Sequence, residues 1–339
     1  MTVSSVTSSE TFSIDAPGTV YTSQFDYDSL TSASSRRRYF WENGYIVRHG
    51  LLAADLCLEA IRCFEREVKS YSRALYRQAS ANPERHQLDD SGNILNALLN
   101  PLSVYGRRFP GFRAVSEAIL ASNELFNAVA ELNEEPAVLV QSMYFEANPA
   151  TWPHQDSYYL DSDTPGRLLG SWIALQDISE QAGRFYVLPG SHRLDVGSNL
   201  GNLSIGDHHD RYKQHVREFV QGRASELRAP ALKRGDVLIW NSRTVHGASK
   251  PLATGLTRHS YTAHFIPVTS RFLQYECIPI ELHPEILSGN LVCRPKDQNK
   301  FLNRCILELE SMTPNLFPRL KKTAIRHKIR RRTQFLSQS

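Results

Sequence analysis

Two short stretches of this sequence hold side chains that could bind the same metal ion. His154 and Asp156 are separated by one residue in TWPHQDSYYLD. In an extended strand, residues i and i+2 point to the same face, so this imidazole and this carboxylate would project together. In the second stretch, DVLIWNSRTVHG, an apolar strand ends in a polar bend that carries His246. Two histidines and one carboxylate are a ligand set that suits iron(II) and leaves open positions on the metal.

The surrounding residues decide how much weight such a pair carries. An isolated His-x-Asp pair is more often an ordinary hydrogen-bonded part of a strand than a metal site. Here Arg258 follows His246 on the next predicted strand. The pattern RHSYTAHF turns Arg258, Ser260 and Thr262 to one polar face. His259 and His264 are competing positions, but His259 would face the opposite side from Arg258, which argues against a direct role as a ligand.

The elements that would position these residues follow from the pattern of apolar side chains. From Ala137 to Pro267 the chain has short apolar or alternating runs separated by Gly and Pro turns, which predicts a β-sandwich or barrel of the jelly-roll kind. The polar stretch 191–229 interrupts these runs and is predicted to fold over one mouth of the barrel as a lid. Amphipathic helices are predicted over 54–78 and 112–133, and a last helix at about 298–311.

Together these elements predict one domain at 36–311, mainly β with flanking helices. The Ser- and Thr-rich residues 1–35 are expected to form a flexible leader, and residues 312–339 a basic C-terminal tail. Eight Lys or Arg residues lie between Arg319 and Arg332 with no acid among them, and without these eight the net charge of +4 becomes −4. The positive charge therefore belongs to the tail, and nucleic-acid binding is not expected.

The cysteines and the N-terminal residues bear on the compartment. Five widely spaced cysteines without a Cys-x-x-Cys pair indicate reduced thiols rather than a disulfide framework. The first residues lack the basic and apolar regions of a signal peptide, and no apolar run is long enough for a membrane span. We expect a cytoplasmic protein without a transmembrane segment, whose basic tail makes at most a weak contact with a membrane surface.

A set of motifs, taken in order, resembles the phytanoyl-CoA dioxygenase family. The motifs are His154-Gln155-Asp156, SWIALQDISEQAGRFYVLPGSHR, Arg234-Gly235-Asp236-Val237, His246-Gly247 and Arg258, and the similarity runs from about Phe40 to Pro267. The resemblance implies a double-stranded β-helix, which is a cupin-like jelly roll, and an enzyme that uses Fe(II). It also implies 2-oxoglutarate as co-substrate, which is decarboxylated with O2 to succinate and CO2.

Carried over one residue at a time, the resemblance implies roles for eight positions. His154, Asp156 and His246 become the iron ligands. Arg258 becomes the clamp for the distal carboxylate of 2-oxoglutarate, a task that suits a planar guanidinium. Four further positions match co-substrate or pocket residues of relatives, or share strand parity with one of them: Gln155, Trp172, Met143 and Gln141. For Trp172 and Met143, simple core packing is the alternative.

The expected reaction is hydroxylation of an unactivated C–H bond in a small organic metabolite, such as a natural-product intermediate, a lipid or a sugar derivative. Because related halogenases lack the carboxylate, Asp156 argues against halogenation, whereas desaturation or ring closure at the same site stays open. A metal hydrolase and a ligand-binding jelly roll without activity are further alternatives. Five aromatic residues either line the substrate cavity or pack the barrel: Trp152, Tyr158, Tyr159, Phe185 and Tyr186.

Overall fold

The computed structural model describes residues 26–147, 150–194, 196–197, 205–275 and 278–314, with the single positions 316, 320 and 323. Its helices are α1 (Ala33–Asn43), α2 (Ala54–Cys63), α3 (Pro110–Leu120), α4 (Asn123–Asn133), α5 (Ile205–Gln221) and α6 (Phe301–Met312). Its strands are β1 (Tyr45–Arg48), β2 (Leu75–Tyr76), β3 (Pro83–Glu84), β4 (Leu98–Leu99), β5 (Ala137–Phe145), β6 (Thr151–His154), β7 (Leu160–Ser162), β8 (Leu169–Ala174), β9 (Phe185–Val187), β10 (Val237–Asn241), β11 (His246–Ala248), β12 (Ser260–Pro267), β13 (Phe272–Gln274), β14 (Ile278–Ile280), β15 (Glu285–Leu287) and β16 (Asn290–Val292). Among these helices, none is both long enough and apolar enough to cross a lipid bilayer.

The strands form one large sheet and several small ones. In the large sheet the order is β1-β10-β8-β12-β5-β16-β15, with β4 also paired to β5. A second sheet has the order β6-β11-β9, and a third has the order β14-β13-β7. The strongest predicted strands lie at β5, β8, β9, β10 and β12, and the predicted fold, mainly β with flanking helices around a jelly-roll core, is confirmed.

The two faces of the large sheet have different partners because side chains alternate along each strand. On the outer face, the hydroxyl of Tyr261 shares a hydrogen bond of 2.7 Å with the hydroxyl of Ser116 in α3. On the inner face, the rings of Trp172 and Trp240 lie 6.0 and 5.0 Å from the ring of Phe185 in β9. The helices therefore cover the outside of the large sheet, and its inner face is turned toward the sheet β6-β11-β9.

Two predicted helices are shorter than the apolar pattern indicated. The helix predicted over 54–78 ends earlier, at Lys69. Its last six residues, Phe64–Lys69, form a π-helical segment that continues α2. The helix predicted over 112–133 is two helices. Ser122 has an extended backbone between them (φ −66°, ψ 146°), and its hydroxyl accepts a hydrogen bond from the N–H of Leu125. A cap in mid-sequence thus interrupts a pattern that is apolar on both sides of it.

The leader and the polar insert also differ from the prediction. Residues 1–25 lie outside the described residues. The leader predicted over 1–35 extends too far toward the C-terminus, since Tyr27 is buried and α1 begins at Ala33. The insert 191–229 contains a helix, α5, where the sequence indicated only a polar lid. Its inward residues Tyr212, Val216 and Val220 are spaced four apart and buried, so three apolar positions are enough to dock this helix.

A buried ion pair ties the end of α2 to the end of β5. The carboxylate of Glu146 is fully buried, contacts the ammonium of Lys69 and accepts a hydrogen bond of 2.8 Å from the N–H of Ile94. Glu146, Glu65 and His259 also bring possible metal donors within 4.8 Å of one another. However, the Lys69 ammonium contacts both carboxylates and already supplies the positive charge, so this cluster is structural.

Replacement of Lys69 with methionine is expected to lower the free energy of unfolding by about 3 kcal/mol, because a buried carboxylate would lose its compensating charge. Urea denaturation measures the change. Glu65→Gln is the control, since it removes the more exposed partner of the same lysine and should cost less than about 1 kcal/mol. If both variants lost the same free energy of unfolding, the pair between Lys69 and Glu146 would contribute no more to stability than the exposed pair with Glu65.

Candidate metal centre

The three predicted ligands meet at one end of the sheet β6-β11-β9. His154 ends β6, and because Gln155 is extended (φ −109°, ψ 134°), the side chains of His154 and Asp156 project together as expected. His246 begins β11 and is paired directly with His154. The Nε2 atoms of His154 and His246 lie 3.7 and 3.6 Å from Oδ1 of Asp156, and donor atoms of all three lie within 4.8 Å of one another. Two donors about 2.1 Å from one ion and at right angles to each other would lie about 3 Å apart, so a small inward shift of these side chains would let one ion contact all three.

Two backbone hydrogen bonds determine which nitrogen of each histidine faces this centre. Nδ1 of His154 lies 2.9 Å from the carbonyl oxygen of Trp152, and Nδ1 of His246 lies 2.9 Å from that of Thr244. Since a carbonyl oxygen only accepts, both Nδ1 atoms carry the hydrogen and both Nε2 atoms present a lone pair. Burial lowers the pKa of His154, and it lowers the pKa of His246 to about 4. Both imidazoles are therefore neutral at neutral pH, as a metal ligand must be.

Two side chains lie against the other oxygen of Asp156: Trp240, which the sequence did not indicate, and His264, which it offered only as a competing position. The indole N–H of Trp240 donates to Oδ2 at 2.8 Å, and Nε2 of His264 lies 3.3 Å from the same atom. Although burial opposes its ionisation, the imidazoles of His246 and His264 keep the pKa of Asp156 below its ordinary value. With Oδ2 engaged by the protein, Oδ1 is left as the single donor toward a metal. If Asp156 binds through one oxygen, the three protein donors leave three positions of an octahedral ion for other ligands.

The hydrogen bond from Trp240 leads to a prediction about metal affinity. Trp240→Phe should lower the affinity for Fe(II) by about 10-fold or more, because a partner that orients a metal ligand contributes on this scale. Anaerobic equilibrium dialysis measures the affinity. Trp41→Phe is the control, since it removes a comparable indole bond (3.1 Å to the carbonyl of Leu132) in α1 and should leave metal binding unchanged. Unchanged Fe(II) affinity in Trp240→Phe would contradict the orienting role.

Arg258 is a buried cation without an anionic partner. It is 2% exposed, one guanidinium nitrogen donates to the carbonyl of Gly183, and its Nε has no partner. In the described part of the chain no carboxylate pairs with it, and burial lowers its pKa to about 10, so it is charged at neutral pH. Its guanidinium lies 5.7 Å from the ring of Trp172, which stacks on Phe185, which in turn stacks on His246. Because an unpaired buried charge is costly, this arrangement fits a ligand carboxylate.

Trp172 and Met143 lie on the same inner face as Arg258. They flank Thr262 in register, Trp172 on β8 and Met143 on β5, and both are buried. In the sequence, Thr262 lies between Arg258, just before β12, and His264 within it, so this row of side chains lies between those two residues. The placement agrees with a position beside a ligand held by Arg258, and their roles stay predictions.

The two predicted glutamines have different surroundings. Gln141 lies opposite His264 across the β5–β12 pair, and its side-chain oxygen is buried without a hydrogen-bond partner. The amide of Gln155 instead donates to the carbonyl of Arg243, so the structure places this side chain against a neighbouring loop. Gln141 is thus free to bind a ligand, while Gln155 would have to give up an existing bond. Both roles stay predictions.

Aromatic side chains flank the centre beside His154. The rings of Trp152 and Tyr159 lie 5.3 and 6.2 Å from its imidazole. The helix of the insert contributes to the same group: the hydroxyl of Tyr159 lies 2.7 Å from Nε2 of His209, and the ring of Tyr212 lies 6.0 Å from that of Trp152. The insert therefore packs next to the centre, and its role as a lid over one mouth of the barrel stays a prediction.

Comparison with known proteins places the chain among relatives. Residues 40–260 match the family "Phytanoyl-CoA dioxygenase (PhyH)". The chain is 26% identical over 275 residues to phytanoyl-CoA dioxygenase domain-containing protein 1 of Danio rerio, covering 70% of this chain and 91% of that protein. It is 29% identical over 254 residues to phytanoyl-CoA dioxygenase 1 of Oryza sativa subsp. japonica, covering 68% and 87%.

Solved structures show the same fold. SnoK, a non-heme alpha ketoglutarate dependent carbocyclase from nogalamycin biosynthesis, superposes with a TM-score of 0.52 at 17% identity, covering 73% of this chain and 88% of that one. The epimerase SnoN, solved with Fe3+, alpha ketoglutarate and nogalamycin RO, gives 0.51 at 19% identity, covering 74% and 86%.

The fold and the site together define a dioxygenase of the class that depends on Fe(II), 2-oxoglutarate and O2. The family match covers well over half of the 339 residues. The chain belongs to the phytanoyl-CoA dioxygenase family, so the predicted resemblance and the cofactors it implies are confirmed.

Proposed function

We propose that this enzyme hydroxylates an unactivated C–H bond of a small organic metabolite while 2-oxoglutarate is converted to succinate and CO2. In such a reaction one atom of O2 enters the product and the other enters succinate. The observation that carries the proposal is the buried guanidinium of Arg258, with which no carboxylate of the described residues pairs, and which is linked through Trp172 and Phe185 to His246. A cation in this position has a clear use if the co-substrate is a dicarboxylic keto acid.

The side chains of the centre have distinct tasks in this proposal. His154 and His246 would bind Fe(II) through Nε2 and Asp156 through Oδ1, and the bound metal would supply the activation of O2. Arg258 would hold the distal carboxylate of 2-oxoglutarate with two parallel hydrogen bonds, so that its keto-acid end is directed toward the three ligands. Burial of the guanidinium excludes water from this contact and strengthens it.

Two alternatives are separated by particular observations. A metal hydrolase would also use two histidines and an aspartate, but it would leave the charge of Arg258 without a partner. Desaturation or ring closure requires the same ligands and the same co-substrate as hydroxylation. Product mass distinguishes these outcomes, because hydroxylation adds one oxygen atom whereas desaturation and ring closure remove two hydrogen atoms.

The residues beside His154 indicate the character of the substrate. Trp152 and Tyr159 are only half-buried, and their rings stand next to the imidazole. Of the other candidate lining residues, Phe185 stacks on His246, whereas Tyr158 and Tyr186 belong to the cluster under α5. This wall favours a substrate with an apolar or aromatic surface.

Anaerobic addition of Fe(II) and 2-oxoglutarate tests the proposal directly. A visible charge-transfer band should appear only when both are present, and a screen of apolar metabolites should then identify compounds that stimulate succinate release. Hydrolytic activity with Zn2+, together with the absence of both the band and succinate, would favour the hydrolase instead.

A further inference from the structure

The residue between two of the metal ligands, Gln155, lies in neither a strand nor a helix. The strand β6 ends at His154, and a 3-10 helical turn begins at Asp156. Gln155 itself is 3% exposed and has an extended backbone. This extended backbone makes the side chains of His154 and Asp156 project together. Because a buried N–H or C=O without a partner is costly, the backbone groups of Gln155 need partners outside the strand pairs.

A tyrosine of the insert helix α5 contacts both backbone groups of Gln155. The hydroxyl of Tyr212 accepts a hydrogen bond of 3.0 Å from the N–H of Gln155 and donates a longer one, of 3.5 Å, to its carbonyl oxygen. The carbonyl oxygen also accepts from the N–H of Tyr158 at 3.3 Å, whereas the N–H has no other acceptor in the described part of the chain. One hydroxyl from α5 therefore holds the N–H of the residue that separates two metal ligands.

The position of Tyr212 is itself fixed by packing. Its side chain is buried, and its ring stacks on that of Tyr158 with the centroids 3.7 Å apart and the planes within 8° of parallel. Val216 and Val220 follow it on the same face of α5 at intervals of four residues, and both are fully buried. A hydroxyl with so little freedom can determine the direction of the N–H that it binds.

We propose that Tyr212 is a positioning residue of the metal centre, whose hydroxyl holds the backbone of Gln155 so that His154 and Asp156 point toward the same ion. The proposal rests on the role of these two side chains as metal ligands. Trp240 orients only the carboxylate of Asp156, whereas Tyr212 acts through the backbone on the ligands at both sides of Gln155. Docking of α5 and binding of the metal are then coupled, and each favours the other.

The variant Tyr212→Phe tests the proposal, because it removes the hydroxyl and keeps the ring that stacks on Tyr158. Its affinity for Fe(II), measured by anaerobic equilibrium dialysis, should fall about tenfold, which is the lower end of the range for groups that orient a metal ligand. The visible band with 2-oxoglutarate should need correspondingly more Fe(II) to reach half of its full intensity.

Two control variants separate the bond to Gln155 from packing. Tyr261→Phe removes another buried tyrosine hydroxyl, which shares a hydrogen bond of 2.7 Å with Ser116 on the outer face of the large sheet. Val216→Ala shortens a buried side chain of α5 one turn from Tyr212 and leaves the tyrosine hydroxyl in place. Both controls should lower the midpoint of thermal unfolding at least as far as Tyr212→Phe does, while their affinity for Fe(II) stays that of the wild type.

A measurement on the wild-type chain does not depend on whether a variant folds. Because the coupling is reciprocal, anaerobic addition of Fe(II) should slow amide hydrogen exchange in α5. An unchanged exchange rate in α5 with Fe(II) bound would contradict the coupling.

The affinities separate this proposal from that of the metal centre. If Tyr212→Phe bound Fe(II) as tightly as the wild type, the metal centre would stand and the role of Tyr212 would be wrong. If Val216→Ala lost as much affinity as Tyr212→Phe, the tyrosine would only dock α5, and the positioning role would again be wrong. A wild-type chain that binds no Fe(II) would overturn both proposals together.

Discussion

Replacement of His154 with alanine is expected to lower the affinity for Fe(II) by more than about 100-fold and to abolish succinate formation. Its Nε2 is one of three donors that lie within 4.8 Å of one another, and its loss leaves only His246 and Asp156. Loss of a group that merely orients a ligand costs about 10- to 100-fold, so loss of the ligand itself should cost more. Anaerobic dialysis against Fe(II) measures the affinity, and the visible band with 2-oxoglutarate provides a second readout.

His192→Ala is the control for this experiment. His192 is buried like the ligands, but its Nε2 lies 2.9 Å from the carbonyl of Trp41, so its contribution is to packing between the turn and α1. This variant should unfold at a lower temperature while it still binds Fe(II). The assignment of His154 would be wrong if its alanine variant folded, kept the metal and released succinate at the normal rate.

The sequence could predict the parts of the centre that depend on local geometry. His154 and Asp156 project together because they are two residues apart in extended chain, and that rule needs no knowledge of the rest of the fold. The same parity correctly placed Arg258, just before β12, on the side of Thr262, because Arg258 lies over Trp172, the register partner of Thr262. It also placed His259 on the other side, where its ring bonds to Tyr144. That His246 would meet His154 followed only from the family resemblance, since their pairing joins strands far apart in the sequence.

The role of Trp240 could not be predicted, because it arises only when β10 packs beside the turn that carries Asp156. Trp240 reaches Asp156 across the barrel, and nothing in the sequence DVLIW separates it from an ordinary core residue. One signal was present: Gly170 in the middle of a strand. A Cβ at Gly170 would stand 2.3 Å from the indole of Trp240, which lies beside it in the neighbouring strand. A glycine inside a strand often marks such a close approach.

Replacement of Arg258 with glutamine is expected to raise the KM for 2-oxoglutarate by about 100-fold or more. The guanidinium is 2% exposed and charged, and no carboxylate in the described ranges pairs with it. A buried, charge-assisted pair with the co-substrate should therefore contribute about 3 kcal/mol, which corresponds to this factor. Arg258→Lys should recover part of the loss, because an ammonium keeps the charge but not the fork. Initial rates of succinate release at varied 2-oxoglutarate give the KM.

Arg77→Gln is a closely matched control, since Arg77 is also buried and burial also lowers its pKa to about 10. Its guanidinium, however, already donates to the carbonyls of Asn96 and Glu84, so this variant should lose stability and keep its KM. Selectivity gives a readout that misfolding cannot imitate. In the wild type, 2-oxopentanoate, which has a methyl group instead of the distal carboxylate, would leave Arg258 unpaired, so 2-oxoglutarate should be strongly preferred. Arg258→Gln should lose most of that preference, and an unchanged ratio of the two keto acids would show that Arg258 does not hold the co-substrate.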